Sequence, residues 1–261
     1  MTGIISSIYY NIKSKRKSFW GFLIFMIIFY GLMVNLSMLD ENDKNASDLI
    51  THIPSLLYYF SFFSTGHIVG RIVCDDMADK TVYHEIMSGF SRTRVYFTRA
   101  LSATVLSALF GVFMCLYGVL LIYLKYGWGT WISPEAGIIR LLLLFFPFLR
   151  FAALSCIIGT LLKKYPFVIA FGIVYEEVFF IIKNIVGNDG IITSFSNMES
   201  LFDMSKWGIY NISPSVGIIE YNSYNSFISQ DLIISTIGIS LLMTVIYLVW
   251  GYGLFKREDL G

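Results

Sequence analysis

Stretches of about twenty apolar residues recur along this chain, joined by short polar segments, and that repetition constrains the fold more than any other feature. A helix rising 1.5 Å per residue needs about 20 residues to cross a hydrocarbon layer about 30 Å thick, and it must satisfy its own backbone hydrogen bonds there. Six stretches qualify: 18–39, 49–73, 100–124, 138–162, 166–186 and 232–255. With 56% hydrophobic and 14% charged residues, the 261-residue chain is too apolar for a water-soluble fold. The expected fold is an all-α membrane protein, a single transmembrane domain over 1–261 with the lipid bilayer as its solvent.

Lys and Arg fix the expected orientation. Lys13, Lys15, Arg16, Lys17, Arg71, Lys80, Arg92, Arg94, Arg99, Lys163, Lys164, Lys256 and Arg257 all fall on one side of the six spans. The other side holds Lys44, Lys125, Lys183 and Lys206 among many acidic residues. An even number of spans then places both termini in the cytoplasm of a multi-pass cell-membrane protein. A net charge of +1 argues against nucleic acid as a partner. The run after Lys17 is too long for a signal peptide and lacks a small-residue cleavage site, so it reads as an uncleaved first helix. Before it, Ile4, Ile5, Ile8, Tyr9 and Ile12 recur at helical spacing, which predicts an interfacial helix over 1–17. Cys74, Cys115 and Cys156 are too far apart for a metal motif or a disulfide framework and read as packing residues.

The longest connection on the basic side, 75–99, is organised. It reads as a short helix around Thr81–Ser88, a break, and a second helix continuing into the third span. Val82, Ile86 and Met87 are expected to share an apolar face, with Lys80, His84 and Glu85 polar. Gly89 suits the left-handed residue that closes a helix, Ser91 suits the N-cap of the next, and Phe90 is placed to staple onto Val95.

In these residues the chain resembles an ABC-2 type transporter permease. Gly89-Phe90-Ser91-Arg92 matches that family's Gly-x-Ser-Arg-like turn after its coupling helix. The tail Phe255-Lys256-Arg257-Glu258-Asp259-Leu260 matches its aromatic, basic, Asp-Leu ending, and the order of elements fits over the whole chain. The resemblance implies that the short cytoplasmic coupling helix docks into a separate ABC ATPase subunit through Lys80, Thr81, Val82, Glu85, Ile86, Gly89, Ser91 and Arg92. It implies a dimer with a second permease copy or a paralogue, a bacterial membrane, and export of a hydrophobic or amphipathic cargo such as a peptide, a lipid-like molecule or a drug. The sequence contains no G-x-x-x-x-G-K-[ST] phosphate loop. ATP and Mg therefore belong on the partner, and no cofactor, metal or catalytic residue is expected on this chain.

Ionisable residues inside a span are costly and normally find partners. Arg150 in the fourth span and Glu176 and Glu177 in the fifth lie at similar depth, about 20 Å from the Lys163-Lys164 turn, which predicts an ion pair of Arg150 with one glutamate, Glu177 foremost. Arg140 and Lys183 lie nearer the outer surface and are expected to snorkel there. His52 and His67 lack a third ligand and read as packed or hydrogen-bonded histidines. The outer loop 187–230 carries Trp207, Tyr210, Tyr221 and Tyr224, and the resemblance implies short helices dipping into the outer leaflet.

Two rival readings come from other classes. Tyr175-Glu176-Glu177-Val178 is similar to the paired-glutamate motif of CAAX-type intramembrane proteases, but Ile181 stands where that motif needs Arg, and no His follows His84. A non-transporting membrane anchor or sensor subunit is the other.

Overall fold

The structure, a computed structural model, describes residues 8, 13, 16–37, 45–79, 81–129, 133–172, 174, 211–212, 219–220 and 230–257. Among these the fold is helical, apart from a two-residue antiparallel bridge in which β1 (Asn211–Ile212) pairs with β2 (Ile219–Glu220). The helices are α1 (Arg16–Ser37), α2 (Ala46–Val69), a π-helical turn (Gly70–Cys74), α3 (Asp75–Ala78), α4 (Thr81–Met87), α5 (Arg92–Tyr126), α6 (Pro134–Leu143), α7 (Phe145–Leu162), a helical start over 165–172, and α8 (Gln230–Lys256).

Among the described residues four helical runs are long and apolar enough to cross a membrane: Lys17–Leu36, Arg92–Tyr126, Pro134–Leu162 and Thr236–Lys256. Their outward faces are as apolar as their inward ones. Trp20, Ile24, Phe25, Ile28 and Leu32 project from α1, and Leu242, Val245, Val249 and Trp250 from α8. A helix apolar all round needs an apolar solvent on its free side. α2, 24 residues long, covers most of the stretch expected as the second span at 49–73, whose last residues fall in the π-helical turn. Of the expected fifth span only 166–172 and 174 fall among the described residues, while most of 1–17 and of the outer loop 187–230 lies outside them.

Capping sets two of the helix starts. As expected, Ser91 caps a helix that runs without a break into the stretch read as the third span, so that α5 begins at Arg92 and is 35 residues long. At 1.5 Å per residue α5 is roughly 50 Å long, so its first turns stand beyond a hydrocarbon slab about 30 Å thick. The fourth span was expected from 138. Its helix starts at Pro134, because Ser133 accepts a hydrogen bond from the Ala136 N–H at 3.3 Å and Pro134 suits the first turn. The run is also jointed at Leu144, where Pro147 has no N–H to return to the Leu143 carbonyl.

Inside, α7 lies against α8, α5 and α2 and forms the centre of the packing. One buried cluster joins Tyr30, Leu49, Phe60, Cys115, Leu141 and Phe148; the other, at the basic end, joins Phe19, Ile68, Val73, Met77, Val82, Val95, Cys156 and Phe255. The α5–α7 contact depends on Gly111, where an added Cβ would come within 2.7 Å of the Phe148 ring. A Gly111→Leu variant should force these two helices apart. Overpacking of this kind costs about 1–3 kcal/mol. A lowered thermal midpoint in lipid nanodiscs, with Gly21→Leu on an open face as the unaffected control, is the expected result.

Candidate functional site

The basic end of the molecule gathers the polar side chains that the apolar helices cannot absorb. The connection between α2 and α5 folds as two short helices, α3 and α4, laid against the projecting first turns of α5. The turn forms as the residues dictate: Gly89 takes φ +93°, and the Ser91 side chain accepts from the Arg94 N–H at 3.3 Å. The Phe90 N–H closes onto the Glu85 carbonyl at 3.2 Å, Phe90 and Val95 enter the same apolar cluster, and the Arg94 guanidinium lies 5.4 Å over the Phe90 ring.

Arg99 holds this arrangement together. Its guanidinium, only 2% exposed, donates from Nε to Asp76 Oδ2 at 2.8 Å. From Nη1 and Nη2 it donates to the two carboxylate oxygens of Glu85, at 2.5 and 2.9 Å. One side chain of α5 thus grips α3 and α4 together. Only arginine has the planar fork for such a bidentate contact plus a third donor. Val73, Met77, Val82, Val95, Tyr96, Ala100 and Phe255 surround it, lining a small apolar cavity. The charges are therefore desolvated, and the geometry that pairs them is correspondingly hard to distort.

A second polar knot lies one turn away. Arg71 donates to Asp75 Oδ2 and to Ser18 Oγ, each at 2.7 Å, and its guanidinium lies 5.0 Å over the Tyr165 ring. The Tyr165 hydroxyl lies 2.7 Å from His67 Nδ1, and His67 Nε2 lies 3.3 Å from the Phe19 carbonyl. A carbonyl only accepts, so Nε2 carries the proton and Nδ1 accepts from the tyrosine. Burial, partly opposed by the neighbouring Arg71 cation, raises the Tyr165 phenol above its usual range and keeps that donor protonated. His67 is thus a hydrogen-bonded histidine, stacked on Phe22 at 4.2 Å. His52 lies where side chains are outside the described residues.

At the far edge, Arg92 Nη1 donates to the Lys256 carbonyl at 3.1 Å, and Thr93 Oγ1 and Tyr252 Oη are 2.7 Å apart. These bonds tie the start of α5 to the end of α8.

The residues singled out in the connection take different places. Val82 is buried, Thr81, Ile86 and Arg92 are half-buried, and Gly89 and Ser91 are exposed, while Lys80 lies outside the described residues. Glu85 faces inward to Arg99. Met87 departs from the expected apolar face: it is 83% exposed, because a residue five places after Val82 lies about 140° round the helix from it, whereas Ile86 lies only about 40° away. The solvent face of the turn is therefore His84, Met87, Ser88 and Gly89.

Within the spans, Arg150 is buried, and Glu176 and Glu177 lie outside the described residues, so the expected ion pair does too. Arg140 does not snorkel. It is 1% exposed, because it lies on the inward stripe of α6 with Ala136, Gly137 and Leu141. The three cysteines are buried free thiols, and no group of three or more metal-ligating side chains occurs among the described residues.

Asp75 and Asp76, which no motif marks, prove central to the geometry. Their signal in the sequence is faint: Arg71 precedes Asp75 by four residues, and two adjacent acids end an apolar run. What the described residues define is a helical fold with four runs long and apolar enough to span a membrane, capped at its basic end by an ion-paired helical hairpin. Compared with known protein families and with characterised protein sequences, the chain matches none.

Removing Arg99 would strand two inward-facing carboxylates. Breaking a buried pair by deleting one partner costs about 3–5 kcal/mol. Arg99→Ala should accordingly lower the thermal midpoint steeply and open residues 76–90 to limited proteolysis. Arg99→Lys, which keeps the charge without the fork, should fall between Arg99→Ala and the wild type.

Proposed function

We propose that this chain is the membrane-spanning permease subunit of an ABC exporter. In this reading six spans place both termini in the cytoplasm of a bacterial cell, and two permease chains, identical or paralogous, enclose the path. ATP and Mg are bound and turned over by a separate ABC ATPase subunit. The observation that carries the reading is the Arg99 clamp, which makes α3 and α4 a stiff lever on the basic end of α5. A slack loop would dissipate a push from outside; a helix bolted to a 35-residue rod passes it on.

The lever's free surface is what a partner would grip. Met87 stands out from it, flanked by His84 and Ser88, on the turn whose Gly-x-Ser-Arg pattern resembles the ABC-2 family. An exposed methionine at the tip of an ordered hairpin suits a partner groove, since its flexible thioether fits many shapes. Glu85, in contrast, positions the lever from inside. ATP-driven approach of two ATPase subunits would press on both levers and tilt the α5 rods, exchanging inward and outward access. The apolar spans fit a hydrophobic or amphipathic cargo.

Purification of the tagged chain from membranes of its native cell should bring an ATP-hydrolysing subunit with it. Met87→Asp combined with His84→Asp should abolish that association and leave the thermal midpoint unchanged. Failure to recover any ATPase, or accessibility labelling that places residues 81–92 on the outer face, would refute the assignment.

A further inference from the structure

The junction between α2 and the lever is not α-helical. Over Gly70–Cys74 the chain runs as a π-helix, and the Asp75 N–H bonds back five residues to the Gly70 carbonyl. Such a turn holds one residue more than the α-helix it interrupts and is costly enough that π-bulges concentrate at functional positions. Gly70 also has the Tyr165 ring pressed on its Cα, where any Cβ would collide with the ring. Tyr165 is held in turn by His67 and lies beneath Arg71. The extra residue is thus clasped from one side by the start of the 165–172 helix.

We propose that the π-helical turn Gly70–Cys74 is a register switch, latched by Tyr165, that lets α3 rotate by one residue relative to α2 and to α4. The switch follows from helix geometry and stands apart from the transport reading. When the turn relaxes to α-helix, the Asp75 N–H exchanges the Gly70 carbonyl for that of Arg71. α3 then rotates by about 100°, the angle between successive helical residues, while α4 stays bonded to Arg99 through Glu85. A π-helix winds less per residue than an α-helix, so after relaxation each residue of α3 takes the direction its successor had. Asp75 takes the place of Asp76.

That substitution explains the adjacent aspartates. In the π register Asp75 faces Arg71 and Asp76 faces Arg99. In the α register Asp75 faces Arg99, so the buried guanidinium keeps a carboxylate from this segment in either state. The pair lost is Arg71–Asp75, which is the more exposed one, at 23% and 17%. Breaking a pair near solvent costs far less than stranding one partner of a buried pair. The α register also moves Asp76 to the buried place of Met77, so it is the minor of the two states, and a switch requires only that such a state be populated.

Cys74 reports the register. Its thiol is 1% exposed and points at the Gly159 carbonyl in the π register. In the α register it takes the direction of Asp75, whose side chain is 17% exposed. The test uses the full-length chain in lipid nanodiscs with Cys115→Ala and Cys156→Ala, and follows the rate of maleimide labelling at Cys74. Tyr165→Phe removes the latch hydrogen bond and should speed labelling by about fivefold, the order expected for one neutral hydrogen bond. Asp76→Asn weakens the π register's hold on Arg99 and should speed labelling by on the order of tenfold, as for a charge-assisted bond. Adding Asp75→Asn to Asp76→Asn removes the carboxylate that the α register needs and should return the rate toward wild type. A merely structural pair of aspartates predicts the opposite, with the double variant labelling faster than the single. That result, or labelling by Tyr165→Phe at the wild-type rate, overturns the proposal; the Tyr165→Phe arm decides alone if the aspartate variants fail to fold.

Discussion

The basic end of this protein depends on the desolvated guanidinium of Arg99. Removed from water with few exceptions in its surroundings, it has to be paired, and the carboxylates that pair it belong to two different short helices. Helices of 4 and 7 residues have no stability of their own. They hold their shape because Arg99 and the apolar cluster around Val82 and Val95 hold them, and the same contacts fix where the exposed tip at Met87 stands. A buried ion pair contributes less to stability than to specifying one arrangement, and this hairpin uses it in that sense.

Four long apolar helices were legible in the sequence, since lengths of apolar chain and their polar punctuation carry that information directly. The Gly89–Ser91 turn was legible because its requirements are local: a positive φ and an oxygen for a free N–H. The start of α6 was in principle readable, as Ser133-Pro134 is a helix-start signal, but it precedes the apolar run that set the span's expected limit. Arg99 could be assigned to a side of the membrane and no further. Its partners are 23 and 14 residues away, and that separation is a property of how α3 and α4 fold back. Arg140 went the other way: distance along the span suggested an escape to the surface, and only the packing stripe of α6 shows it turned inward.

Met87 illustrates a narrower limit. Apolar residues at i, i+4 and i+5 look like one face when written in a line, yet the last of them stands well off the others' axis, and the buried cluster closes without it. Apolarity alone could not distinguish a core residue from a presented one. The difference decides which residues of the turn a partner would meet and which set the turn's position.

A lever has to be stiff along its length and free at one joint, and the chemistry is divided on those lines. Toward α5 the contacts are buried, bidentate and charged, so distortion costs several bonds together. Toward α2 the link is a π-helical turn whose hydrogen bond reaches one residue further than the α pattern, clasped by one tyrosine hydroxyl and a ring seated on glycine. Were both links of the first kind, α3 and α4 would be a fixed plug; were both of the second, the tip would have no defined position to transmit. Asp75 and Asp76 stand at the boundary between the two, bonded to different helices though adjacent in the chain, and motion at the joint would pass through them to the clamp.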